Sequence, residues 1–173
     1  MMTDILTQVK ETTDELIQIL SSLTETELNM IPFEGSWTAA QVGEHLRKSY
    51  GVVDILEKPV KNTDRDPGEK INEIKQVMLN FDIKMQAPGF IVPAKTPIAK
   101  EGLLSSLQST VDRIISTSQR LDLSQICLGF ILPGSGEYTR LEWLHFILYH
   151  TQRHIRQVKN IRQIVTAKQE LQN

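Results

Sequence analysis

Between Thr139 and Lys168 the chain carries its strongest helix signature, and this stretch constrains everything before it. Thr139 and Glu142 have the spacing of a capping box, in which each residue satisfies a backbone N–H that the first helical turn leaves open. Tyr138 and Trp143 can close over that turn as a hydrophobic staple. Leu144, Leu148, Ile155, Val158 and Val165 recur as one apolar stripe, and Trp143, Ile147, His150, His154, Gln157 and Ile161 as an adjoining one. A helix apolar over so broad an arc is buried against several neighbours, and His150 and His154 lie inside the arc. Two histidines four residues apart place their Cβ atoms roughly 6 Å apart on one face. Two imidazoles so placed can reach one ion at about 2.0–2.1 Å per Zn–N bond.

Three more amphipathic segments precede this one. The first runs from Thr3 to Leu23, with Ile5, Val9, Leu16 and Leu20 in its stripe and Thr12 and Thr13 in the gap. Thr24 and Glu27 announce a short helical turn after it. The second runs from Thr38 to Glu57, capped by the Thr38–Gln41 pair, stapled by Trp37 and Val42, and ended by Pro59. His45 sits in its stripe of Val42, Leu46, Val53 and Leu56. The third runs from Pro97 to Leu121, with Thr96 as cap and Pro97 in the first helical position. Lys58 to Lys95 is a long connection whose four prolines forbid a single helix. It leaves room for a short helix within Gly68–Phe81 and an extended apolar segment from Pro88 to Pro93.

Four helices without a convincing strand predict an all-α fold, a four-helix bundle formed by one domain spanning 1–173. The short first connection predicts that helices one and two are antiparallel neighbours. The long crossover between helices two and three allows those two to run parallel, giving an up-down-down-up order. With aligned ends, His45 lies about 20 Å from the far end of its helix, and His150 and His154 lie about 16 and 22 Å along theirs. All three histidines then fall at one height.

The sequence Trp37-Thr38, His45-Leu46, then Thr139-x-x-Glu142-Trp143, then His150-x-x-x-His154-x-x-Gln157 resembles the DinB family of helical bundles. The resemblance covers nearly the whole chain, including the apolar segment Pro88–Pro93. It implies an up-down-down-up bundle holding one divalent metal, zinc or nickel, on His45, His150 and His154. It also implies a homodimer. Several members of the wider superfamily are transferases using a low-molecular-weight thiol such as bacillithiol or mycothiol, others are described as metal-dependent hydrolases, and many have no known activity.

Other residues narrow the site. Gln157 shares the ligand face and is a candidate to support a histidine or a metal-bound water, as is Gln41 one turn before His45. Arg153 is a candidate for the rim of a substrate site. His145 lies about 140° around the helix from His150 and is left out. Glu44 points about 100° away from His45 and is a poor general base. The long loops Lys58–Lys95 and Asp122–Tyr138 are expected to wall the site.

Composition excludes more than it selects. A net charge of −2 gives no reason to expect nucleic acid or an anionic membrane as partner. No segment approaches the roughly 20 apolar residues of a membrane span, and Met1-Met2-Thr3-Asp4 does not read as a signal peptide. A single cysteine, Cys127, rules out an internal disulfide and fits a cytoplasmic protein. The expected partner is a small-molecule substrate. Three neutral histidines would leave a divalent ion its full charge and an open position, the requirement for making a nucleophile from water or a thiol at neutral pH. The resemblance makes thiol S-transfer the leading expectation and hydrolysis the next. A non-enzymatic metal-binding or interaction bundle is the third.

Overall fold

The structure is a computed structural model and describes residues 2–171. The elements in chain order are α1 (Met2–Ser22), α2 (Glu25–Asn29), α3 (Ala39–Ser49), α4 (Val52–Leu56), β1 (Val60–Lys61), α5 (Ile71–Leu79), a 3₁₀ turn at Gly89–Ile91, α6 (Lys100–Ser118), β2 (Ile126–Cys127) and α7 (Arg140–Glu170). The bundle consists of α1, α3 continued by α4, α6 and α7. The capping boxes at Thr24, Thr38 and Thr139 are all formed, with the threonine oxygen accepting the N3 amide and the N3 side chain accepting the cap amide. Tyr138 and Trp143 meet edge to face at 5.1 Å, closing the staple at the start of α7.

Side-chain contacts give the helix directions. Lys100, at the start of α6, reaches the carbonyl of Ser21 at the end of α1, so α6 runs back along α1. Glu15 pairs with Lys159 at 2.6 Å, and Lys168 reaches Pro32 beyond the end of α1, so α7 runs parallel to α1. Tyr50 meets Thr151 while the Leu56 carbonyl meets Arg140, so α3 and α4 run against α7. The directions read up, down, down, up.

The bundle differs from the sequence expectation in three places. First, α1 and α3 are not packed neighbours. Each packs chiefly against α6 and α7, so the two face each other across the diagonal. The first connection contains α2 and a loop to Thr38, long enough to step across. The diagonal closes at Gly43, where an added Cβ would come within 3.0 Å of Leu103 and 3.1 Å of Leu20. Second, the second helix breaks at Tyr50–Gly51, where hydrogen bonding tightens to an i→i+3 pattern (Gly51 N to the Lys48 carbonyl, Val53 N to the Tyr50 carbonyl, both 3.1 Å). Third, α6 starts at Lys100 and not at Pro97. The Asn29 side chain binds both the N–H and the carbonyl of Ile98, and the Glu25 carboxylate accepts the Lys100 amide. A tertiary cap replaces the local Thr96–Pro97 signal.

The long loops are pinned to the start of α7. Strands β1 and β2 pair antiparallel over two residues each, Val60 with Cys127 and Lys61 with Ile126. The Thr139 hydroxyl donates to the Pro67 carbonyl at 2.6 Å. Buried Arg140 donates to the Leu56 carbonyl, capping α4, and to Asp122 and Gln125. Glu142, fully buried, receives both Arg65 guanidinium nitrogens at 2.7 Å and the amides of Thr139 and Lys70 at 2.9 Å.

Candidate metal centre

Helix α3 supplies His45, and α7 supplies His150 and His154. The helices meet here in a register set by a buried polar pair just below the site. The Thr151 hydroxyl donates to the Ile147 carbonyl at 2.7 Å, so it accepts from the Tyr50 hydroxyl at 2.8 Å. Tyr50→Phe removes one hydrogen bond and leaves Thr151 still bonded. We expect a loss of about 1 kcal/mol in urea unfolding, with the helical circular dichroism unchanged.

The three histidines come together. Nε2 of His150 lies 3.2 Å from Nε2 of His45 and 3.0 Å from Nε2 of His154. One ring nitrogen from each lies within 4.8 Å of the others. His45 and His150 are only 3% and 8% exposed. Packing locks the rings: Trp37 lies against His45 at 5.1 Å, and Phe146 stacks on His150 at 5.4 Å.

Hydrogen bonds on the far side of two rings select the tautomer. His45 Nδ1 faces the Ile91 carbonyl at 3.0 Å, and His154 Nδ1 faces the Gln157 side-chain oxygen at 2.8 Å. Both partners only accept, so each Nδ1 carries the hydrogen and each Nε2 keeps its lone pair. Burial holds all three histidines below the usual imidazole range. For His150, well below it, the mutual repulsion of His154 and His45 adds to burial; His154 is brought to about 4, with Gln157 opposing the shift. For His45 burial outweighs the Ile91 carbonyl. At neutral pH the three rings are uncharged, and His45 and His154 both point Nε2 lone pairs at Nε2 of His150.

This donor set fits a metal ion. Tetrahedral coordination with Zn–N bonds near 2.0–2.1 Å places ligand nitrogens about 3.3 Å apart, close to the 3.0 and 3.2 Å observed. Without a cation, the one hydrogen available to His150 Nε2 can satisfy only one of the two lone pairs facing it. The cluster contains histidines alone, with no carboxylate or thiol among the described residues in it.

Known proteins supply the context. The profile of the DinB superfamily matches residues 8–158. The chain belongs to the DinB superfamily. It is similar to the uncharacterized protein YuaE of Bacillus subtilis (strain 168), 26% identical over 146 residues, covering 83% of this chain and 88% of that protein. It also resembles TT2238, whose crystal structure is described as a four-helix bundle protein, with a TM-score of 0.59 at 16% identity over 92% of this chain and 99% of that one. The last likeness concerns the fold alone. Superfamily membership and the histidine cluster together are compatible with a metal-dependent function.

The remaining candidates divide. Gln157 bonds His154 directly. Gln41 does not reach a ligand histidine: its oxygen accepts the Thr38 amide and its nitrogen donates to the Ala94 carbonyl. Arg153 donates to the carbonyls of Met78, Asn80 and Ile83, so its guanidinium holds a loop. His145 bonds the Leu141 carbonyl and lies against Tyr149, away from the cluster. Cys127 is buried, and burial pushes its thiol up to about 11, which leaves it unreactive. The first long loop meets the site at Ile91, whereas the second places Phe130 against Phe90 and Trp143 and connects to His150 only through Trp143 and Phe146.

Sequence reading did not identify the Ile91 carbonyl or Phe146 as parts of this neighbourhood. A carbonyl has no side-chain signature. Phe146 lies four residues before His150 and could have been placed on its face by spacing. No helix among the described residues is long and apolar enough to cross a membrane.

Proposed function

We propose that His45, His150 and His154 hold one divalent ion, zinc or nickel, and that the protein is an enzyme joining a low-molecular-weight thiol, through its sulfur, to an electrophilic small molecule. The observation that carries this reading is the convergence of three neutral Nε2 donors with no anionic ligand. A divalent ion bound by neutral donors keeps its full +2 charge and supplies the Lewis acidity to stabilise a thiolate or a hydroxide at neutral pH.

The protein's own groups favour the thiol. A hydrolase of this design gains from a general base within hydrogen-bond reach of the attacking water. Glu44, the carboxylate beside His45 in sequence, accepts the Ala94 amide and lies 3.9 Å from Lys48. His45 and His154 are committed by their Nδ1 hydrogens to Ile91 and Gln157. Thiol transfer would make a smaller demand: a bound ion would lower the thiol pKa enough for the proton to pass to solvent, so that sulfur could bond to the electrophilic carbon as the leaving group departs, with no protein base. Phe146 and Trp143, in ring contact at 5.4 Å, form an apolar wall beside His150 that strengthens local electrostatics by excluding water.

A second reading, a non-catalytic metal site, draws on the depth of the histidines. Two surface grooves, one lined by Glu15, Gln152, Ile155, Arg156 and Lys159 and the other by Asn72, Lys75, Gln76, Leu79 and Asn80, include no ligand histidine. Cobalt substitution separates the readings. Cobalt-loaded protein titrated with a small thiol is expected to develop a near-ultraviolet thiolate-to-metal charge-transfer band, and zinc- or nickel-loaded protein to consume thiol and a chloroarene electrophile together. A metal spectrum indifferent to thiol would sink the transferase reading and favour the second.

A further inference from the structure

Residues 80–95 cross the site as a strap between the two helices that carry the ligands. On the α7 side, Arg153, next to His154, donates to the carbonyls of Met78 and Asn80 at 3.1 and 2.9 Å and to that of Ile83. The Phe81 ring lies 4.0 Å from the Arg156 guanidinium carbon. On the α3 side, three side chains around His45 grip backbone atoms. Gln41 Nε2 donates to the Ala94 carbonyl at 2.8 Å, Glu44 Oε2 accepts the Ala94 amide, and Lys48 Nζ donates to the Val92 carbonyl at 2.8 Å. The Ile91 carbonyl then returns to α3, accepting from His45 Nδ1 at 3.0 Å.

From this closed path we infer that Gln41, Glu44 and Lys48 are positioning residues for His45, acting through the backbone of residues 91–94, and that strap seating and metal occupancy are coupled. The inference rests on the metal reading above. Gln41, Glu44 and Lys48 lie four before, one before and three after His45 on one helix, so they share a rim around it. Their contacts go to peptide groups, and both polar backbone atoms of Ala94 are engaged. They therefore hold the direction of the peptide that ends at the Ile91 carbonyl. That carbonyl keeps the His45 hydrogen on Nδ1 and the lone pair on Nε2, aimed at His150.

If the strap lifts, His45 Nδ1 loses its acceptor and both tautomers and ring flips become available. The fraction of protein presenting three bare Nε2 atoms then falls. Conversely, with Nε2 engaged by a cation, Nδ1–H is a stronger donor and holds Ile91 more tightly. Linkage requires the two effects to be equal: the factor by which the seated strap raises metal affinity is the factor by which metal favours the seated strap.

The test uses the full chain without a polyhistidine tag. Zinc affinity is measured by competition with a chromophoric chelator, and hydrogen exchange of residues 82–95 is followed with and without zinc. Zinc is expected to slow exchange at the amides of Ile91, Val92 and Ala94 by roughly tenfold, and Glu44→Ala to weaken zinc binding by a similar factor while abolishing the slowing. Glu44→Gln, which keeps an acceptor oxygen, should restore most of both. Lys48→Met provides a second variant, with a smaller loss, should Glu44→Ala fold poorly. A purely structural role for Glu44 would lower stability without changing the zinc-dependent slowing. Exchange indifferent to zinc in protein that binds it, or wild-type zinc affinity in Glu44→Ala or in a folded Lys48→Met standing in for it, overturns the coupling alone. Wild-type protein that binds no divalent ion overturns both this inference and the metal reading.

Discussion

Replacing His154 with alanine is expected to lower zinc affinity by more than about 100-fold, and His150→Ala to do the same, because tight zinc sites of this kind use three protein ligands or more. Both wild-type donors are prepared: each ring is neutral at pH 7, and the His154 tautomer is held by Gln157. The effect has a second readout in stability. A ligand at 100 times its Kd stabilises the native state by about 2.7 kcal/mol. For a domain of this size that is roughly 5–10 °C in Tm. Wild-type protein should show this shift on adding zinc, and His150→Ala and His154→Ala should not. In the metal-free state His154→Ala should melt close to wild type, since His154 is only partly buried and its ring contacts are the side chains of His45, His150 and Gln157.

The largest effect on folding itself is expected from Arg65→Ala. Glu142 has no exposed surface and Arg65 is 19% exposed. The pair is bidentate at 2.7 Å, and Thr139 and Lys70 amides complete the carboxylate's coordination. Removing the guanidinium leaves a buried carboxylate with its backbone donors only. Breaking a buried pair costs about 3–5 kcal/mol, and the partial exposure of Arg65 places this one near about 3 kcal/mol. Urea midpoints measure it. The pH dependence has a defined sign. Burial pushes the Glu142 carboxyl up, but Arg65 and the two amides outweigh it and hold it below the usual value. The stabilisation is therefore complete above the ordinary glutamate pKa of about 4.3 and is lost as pH falls through the lower folded value. The difference between wild type and Arg65→Ala should narrow below about pH 4.

Much of this was legible in the sequence because the signals were local. The capping boxes at Thr24, Thr38 and Thr139 depend on two residues three apart, and all three form. The His150–His154 pair depends on helix geometry alone. His45 joined it because a bundle brings facing helices to one height. What was missed depends on long-range contacts. Thr96 and Pro97 carry a good helix start, yet Asn29 and Glu25 impose a later one from another element. The diagonal placement of α1 and α3 follows from contacts that no single stripe specifies. Arg65 lies in a loop whose composition does not announce a buried partner 77 residues away. The Ile91 carbonyl, which sets the His45 tautomer, is a backbone atom and leaves no mark in the sequence.

Three histidine nitrogens forming an open metal centre have a direct spectroscopic signature. X-ray absorption at the zinc edge of tag-free, zinc-loaded protein tests it most directly, alongside the same protein carrying His45→Ala. One equivalent of zinc is expected, with three imidazole nitrogens at about 2.0–2.1 Å plus a light exchangeable ligand, and loss of imidazole scattering in the variant. Zinc bound without imidazole scattering, or scattering unchanged by His45→Ala, would contradict it.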